Sequence, residues 1–252
     1  GASGYPHCFE MTEIEREAAA KKKTDLNYWR GENYIKLFEP KYFMPFAGRY
    51  VLQGKLTQFN SLKGEPELEE GFQYLVSKID QNNHQGILLN PNEYFDLTMG
   101  TTSKPYEPIN KNMKEEYITH SLSKILFPYE LDSEPSLTEI KELIPKCYDR
   151  FERTRKRIGL KSNTNILLEL SNDELLCISC NGNGYRFIST TQILDLQPYL
   201  KMSLDKKLLI RCLKGPKLAH WNNAEGGSHI FYERRPEIFD RGLYYCFSFF
   251  HS

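Results

Sequence analysis

Apolar and polar positions along this chain recur with helical spacing in some stretches and alternate at strand spacing in others. Residues 10–23 carry acids early (Glu10, Glu13, Glu15, Glu17) and lysines late (Lys21, Lys22, Lys23), an order that complements a helix dipole. They predict a helix, and Tyr5-Pro6-His7-Cys8 reads as the loop entering it. Residues 67–80 place Leu68, Phe72, Leu75, Val76 and Ile79 on one helical face. Residues 112–127 and 136–158 predict two more helices, the second opened by Ser136 and Glu139 at capping-box spacing. Short apolar runs at 41–44 and 86–89 predict buried strands, stopped by Pro45 and by Asn90-Pro91-Asn92. Residues 165–170 and 175–180 flank Ser171-Asn172-Asp173 as a β-hairpin, and Asn181-Gly182-Asn183-Gly184 turns the chain into a third strand at 185–189. Residues 194–200 are expected to be helical, 207–213 strand-like and 236–250 mostly helical. The Gly/Thr/Ser/Pro-rich link at 100–108 is the expected domain boundary, giving domains 1–100 and 101–252.

Composition changes this picture in three ways. The 252 residues balance 33 Lys plus Arg against 33 Asp plus Glu. A net charge of zero argues against a general electrostatic hold on nucleic acid or on an anionic membrane, so neither is expected as a partner. No run of about 18 apolar residues exists, which excludes a spanning helix. Gly1-Ala2-Ser3-Gly4-Tyr5 has neither a basic nor an apolar leader region and no initiator Met precedes it. The chain is therefore expected to be processed, or cut from something longer. Six thinly spread cysteines read as reduced thiols, and hence as a cytoplasmic protein.

Motifs that carry chemistry are mostly missing. There is no phosphate loop, no Gly-x-Gly-x-x-Gly, no Gly-x-Ser-x-Gly and no His-Glu-x-x-His. The single Cys-x-x-Cys, Cys177 and Cys180, falls in a predicted strand, where residues three apart point to opposite faces. The two sulfurs are thus expected to be ordinary buried residues. His7 sits in a loop ahead of a helix, a suitable place for an anion or a substrate. Arg150, Arg153, Arg155, Lys156 and Arg157 crowd the end of a helix, where cations complement the dipole; a solvated face and a phosphate site are the two readings. The segment from His220 to His229 concentrates a Trp, Asn222, Asn223, Glu225, two His and two Gly. It suggests either recognition or a buried hydrogen-bond network holding the C-terminal helix.

Three stretches resemble the metallo-β-lactamase-fold proteins. Residues 1–10 (GASGYPHCFE) look like a loop-to-helix motif of that group, and residues 40–50 (PKYFMPFAGRY) like its final core strand and turn. Asn222 to His251, with a Gly/Ser turn, Arg235-Pro236 and an aromatic stretch, is similar to the tail of the branch containing CMP-N-acetylneuraminate hydroxylase. The resemblance implies an α/β to α+β chain: residues 1–100 would be the C-terminal part of an αββα sandwich, followed by helices on a small antiparallel sheet. Residues 164–213 weakly resemble a sterol-carrier-like module, the alternative being a packed core.

By the same resemblance the protein would act on a sugar or sugar nucleotide in surface polysaccharide metabolism, as a hydrolase or monooxygenase once joined to its missing N-terminal part or to another subunit. Tyr5, His7 and Arg49 would border the old active-site rim, with Asn222, Asn223 and Glu225 as further substrate contacts. The sugar-active relatives end this strand as Pro-x-His with the His on a metal. Here Pro45-Phe46-Ala47 offers no ligand, and the paired Cys-x-His units of a Rieske centre are missing too. No cofactor is therefore expected in this chain, a metal being left to the full-length protein. The alternative function is a ligand-binding or scaffold domain with an apolar groove or a dimer surface. Residues 37–60 are expected to be covered by another part of the structure or by a partner.

Overall fold

The computed structural model describes residues 4–46 and 50–252, with Leu194 described by its backbone alone. The chain is mixed α/β. It divides into two units: residues 11–125, and residues 126–252 joined by the N-terminal stretch up to Glu10. The 100–108 link lies inside the first unit.

In the first unit, helix α1 (Glu13–Phe38) starts at a capping box in which the Thr12 hydroxyl accepts from Glu15 N and the Glu15 carboxylate accepts from Thr12 N. It runs well past residue 23, where the sequence expectation ended, because no Pro intervenes before the left-handed Glu39 and the one glycine, Gly31, lies close against Leu75. Strand β1 (Tyr42–Phe43), helix α2 (Leu68–Lys78), strands β2 (Gln85–Gly86), β3 (Phe95–Asp96) and β4 (Thr101–Thr102), and helix α3 (Lys111–His120) follow. The four strands are two residues each, pairing β1 with β2 in parallel and β3 with β4 antiparallel. Tyr28 stacks on Tyr74 at 4.3 Å between α1 and α2, and Ile35, Leu52, Leu56, Leu75 and Ile87 are buried. Gly64 has φ +64°, and a Cβ there would lie 2.6 Å from the Ala20 carbonyl oxygen, so only glycine fits. Of the stretch expected to be covered, Leu52 and Leu56 are, whereas Leu37, Phe38 and Phe46 are more than 70% exposed.

The second unit is built on one five-stranded sheet. Helix α4 (Leu137–Arg157) carries the predicted capping box: Ser136 Oγ accepts from Glu139 N, and the Glu139 carboxylate accepts from Ser136 N at 2.7 Å. Strands β5 (Asn165–Glu169), β6 (Glu174–Ser179) and β7 (Tyr185–Ser189) form the expected meander. Strand β8 (Tyr199–Ser203) and helix α5 (Lys206–Lys214) come next. Helix α6 (Trp221–Gly226), strand β9 (Phe231–Arg235) and helix α7 (Arg241–Phe247) complete the unit. The strand order is β7-β6-β5-β8-β9, antiparallel except for the parallel β5–β8 pair.

Three expectations are corrected. Residues 207–213 are helical, not strand: Leu208, Leu209, Cys212 and Leu213 are buried on one face. The Asp205 side chain caps the start by accepting from Lys207 N at 3.0 Å, and Gly215 ends the helix. Residues 194–200 are not one helix: the 3₁₀ turn Thr190–Leu196 ends before Pro198, and β8 begins at Tyr199. The helix expected over 236–250 is confined to Arg241–Phe247, and β9 and α6 were not foreseen.

Both faces of β5 and β6 are buried. One face packs Leu167, Leu175, Cys177, Ile188 and Tyr199 under Ile193 and Leu196 of the 3₁₀ turn. On the other, Ile166, Leu168, Leu176 and Ile178 share a layer with Ile140, Ile144, Cys147 and Phe151 of α4 as fully buried side chains. Cys177 and Cys180 are both buried, as are the other four free cysteines. Burial pushes the Cys8, Cys147, Cys180 and Cys212 thiols up to about 12, which keeps them protonated and inert.

Phe151, wholly buried and edge-on to Phe250 at 6.4 Å, anchors this layer. Phe151→Ala is expected to destabilise the protein by about 3–5 kcal/mol through the cavity it leaves. Urea denaturation checks this; a loss below about 1 kcal/mol would mean the layer is not the core.

Candidate functional site

The N-terminal loop and the 220–229 segment, both singled out in the sequence, meet in the second unit. Tyr232 N donates to Cys8 O and Glu10 N to Tyr232 O, both at 2.8 Å, so residues 8–10 run as a parallel rung along the outer edge of β9. This placement turns His7 inward, where its Nε2 lies 2.7 Å from Ser228 Oγ. Ser228 is held at φ +65°, unusual for a side-chain-bearing residue, directly after α6. A serine and a histidine at this distance have the geometry of a nucleophile and its base. Yet Ser228 exposes no surface and His7 only 2%, so the pair works as a fastening between two distant segments.

The other sequence candidates fall around this fastening with different fates. The Tyr5 ring packs edge-on against Phe9 at 5.2 Å, and the Arg234 guanidinium stands 4.5 Å from the Phe9 centroid. Asn222 and Asn223 are exposed on α6. It is Trp221, not the asparagines, that ties this segment to the C-terminal stretch: its Nε1 donates to Phe250 O at 2.7 Å. Arg49 lies outside the described residues. Glu225 is half-buried beside a cavity of about 10 Å³, lined also by Asn222, Tyr232, Tyr244 and Trp221 and wide enough for one water. Desolvation raises the Glu225 carboxyl above the ordinary glutamate range and pushes the Tyr244 hydroxyl up to about 12. A second cleft of about 210 Å³ lies between the ends of β8 and β9 and the start of α7. The two arginines on its wall are already engaged: Arg234 pairs with Glu237, and Arg235 stands 3.6 Å from Glu233.

A different site emerges from the basic run of α4. Arg155 turns into the structure and forks onto Glu152 at 2.7 and 2.8 Å, its third nitrogen donating to Leu160 O; Lys156 reaches the same carboxylate at 3.5 Å. Those bonds draw Glu152 below the usual carboxylate range. Arg150, Arg153 and Arg157 lie on the opposite flank. With Thr154 and Phe249 they line an open concavity of about 330 Å³. The Arg157 guanidinium stands 5.5 Å from the Phe249 ring centroid, and Arg153 Nε donates to Asp149 O. Among the described residues no carboxylate pairs with any of these three arginines, whereas Arg155, Arg211, Arg234 and Arg235 each reach one. The signal available in the sequence was the i, i+3, i+7 spacing of the arginines with Glu152 on the far flank; Asp149, one turn before Arg153, meets it through its backbone carbonyl. Among the described residues no group of His, Cys, Asp and Glu converges as a metal site would require.

No family model, curated protein or solved structure matches this chain.

Two outcomes test the reading of the buried pair and its neighbour. Ser228→Ala removes the hydrogen bond and keeps the strained backbone, so it is expected to cost about 1–3 kcal/mol. Ser228→Gly loses the same bond but relaxes φ, and is expected to cost less; thermal denaturation ranking Gly below Ala would contradict the fastening. Because the folded state holds the Glu225 proton more tightly than the unfolded state does, stability falls as pH rises from the ordinary glutamate range, ~4.3, through the raised value. Glu225→Gln is therefore expected to stabilise the protein at pH 7 and to have no effect at pH 3, as read from denaturation midpoints.

Proposed function

We propose that residues 126–252 form a binding module for a small phosphate-bearing ligand, received at the concavity of Arg150, Arg153, Thr154, Arg157 and Phe249. The observation that carries this reading is the trio of arginines left without a carboxylate around an aromatic floor. Three like charges held within one concavity repel one another until an anion enters. Guanidinium forks match phosphate oxygens bidentately, and the buried Thr154 sits between them on the same wall. The sugar nucleotide implied by the sequence resemblance belongs to this ligand class. The wider reading, that the chain is the C-terminal part of a lactamase-fold enzyme using this face to hold a nucleotide-linked sugar, is supported only by the resemblance of residues 1–10, 40–50 and 222–251. Metal analysis and activity assays on the product of the whole gene test it.

Calorimetry with inorganic phosphate tests the binding site itself. Arg153→Ala is expected to weaken binding about tenfold, since a charge-assisted hydrogen bond contributes about 1.5–3 kcal/mol. Lys156→Ala, whose charge is already engaged by Glu152, should leave it unchanged. Equal losses in the two variants, or no binding by the parent protein, would reject the site.

A further inference from the structure

We infer that the concavity is built for a diphosphate, two linked phosphate groups on one small molecule; this rests on the reading of the α4 face as a phosphate site. The first argument is charge. One phosphate carries about −1.5 to −2 at pH 7. Against Arg150, Arg153 and Arg157 it leaves at least one guanidinium uncompensated, and no carboxylate among the described residues supplies the difference. A second phosphate closes the balance. Donor geometry makes the second argument. Each guanidinium presents five N–H groups in a flat fork. Three forks and the Thr154 hydroxyl together offer more donors than the terminal oxygens of one phosphate can meet in good geometry from positions spread along the helix, and a second phosphate gives the outer forks oxygens of their own. Length makes the third. At a rise of about 1.5 Å per residue, the Cα atoms of Arg150 and Arg157 stand about 10.5 Å apart along the helix on nearly the same face, with Arg153 between them and to one side. The three arginines are strung along α4, and the outer two reach a diphosphate laid along it by turning their long side chains toward Arg153.

Phe249 fixes where the rest of the ligand goes. It lines the concavity beside Arg157, so the group attached to the diphosphate is placed at that end, against the aromatic ring. The source of the diphosphate, free pyrophosphate or a nucleoside diphosphate, is separated by the probes.

The experiment is calorimetric titration of the full chain at fixed ionic strength with inorganic phosphate, pyrophosphate, tripolyphosphate and adenosine diphosphate. Pyrophosphate is expected to bind at least tenfold more tightly than phosphate. Tripolyphosphate should gain little more. Adenosine diphosphate should match or exceed pyrophosphate. Arg150→Ala and Arg157→Ala should each reduce the pyrophosphate preference to under threefold while phosphate binding persists; both side chains lie off the buried seam, and unchanged melting temperatures confirm folding. Equal affinities for phosphate and pyrophosphate overturn the diphosphate inference and leave the phosphate site standing. Affinity that climbs steadily with each added phosphate overturns it in favour of a general polyanion surface. Adenosine diphosphate binding no better than phosphate while pyrophosphate binds tightly overturns the placement against Phe249 and assigns the seat to free pyrophosphate. Binding of none of the four removes the phosphate site and this inference together.

Discussion

The charge distribution of the second unit follows from how α4 is clamped on its sheet. Ile140, Ile144, Cys147, Phe151 and Thr154 recur at intervals of four and three residues, so at about 100° per residue they form one continuous seam. The seam is buried without remainder down to Phe151, which fixes the rotation of the helix. Once that rotation is fixed, the polar residues have no freedom about which flank they occupy. Arg150, Arg153 and Arg157 fall on one side of the seam. Glu152, Arg155 and Lys156 fall on the other. The aromatic pair Phe249-Phe250 divides in the same way: Phe250 joins the seam against Phe151, and Phe249 is left at the arginine flank.

The consequence is electrostatic. A run of five basic residues with a neighbouring glutamate looks from its composition like a partly neutralised helix end, in which the dipole accounts for the rest. The fold does not share Glu152 among all five. It commits the carboxylate to Arg155 and Lys156, and Arg155 is buried enough to make that commitment firm. An exposed ion pair would contribute little and would exchange partners readily. This one is bidentate, and its arginine also donates to the Leu160 carbonyl, so the carboxylate is not available across the helix. Positive charge therefore accumulates on one flank of a chain whose net charge is zero.

The sequence revealed elements whose signals are local. The hairpin of β5 and β6, the turn into β7 and the Ser136–Glu139 capping box depend on residues within a few positions of one another, and all are where the pattern put them. It failed where a local signal was ambiguous or where the deciding contact was distant. Leu208-Leu209-Ile210 as a consecutive apolar run reads as strand, although Asp205 before it and Gly215 after it are the punctuation of a helix. Strand β9 was hidden because one of its two inward residues is Arg234, buried under Phe9 and beside Tyr244; a charged residue does not announce a core position. The pairing of His7 with Ser228 spans 221 residues, and nothing in either neighbourhood specifies the other.

That last contact also shows why residue types alone misplace function. A histidine, a serine on a glycine turn and a nearby carboxylate are the materials of acyl transfer. Here the loop that carries His7 is also a rung on the edge of β9, and edge strands are commonly covered in this way. Covering the edge required the loop to lie flat, and lying flat buried the imidazole against Ser228. Tyr232, bracketed by the same rung, is buried too, and burial raises both its hydroxyl and the Glu225 carboxyl, so the polar cluster is sealed from solvent. The arginines of α4 have the opposite history. Arg153 and Arg157 stay exposed and Arg150 partly so, because their flank borders the seam without entering it. Of the two polar groupings in this unit, the one assembled by long-range packing is sealed, and the one left at the margin of the packing is open to a ligand.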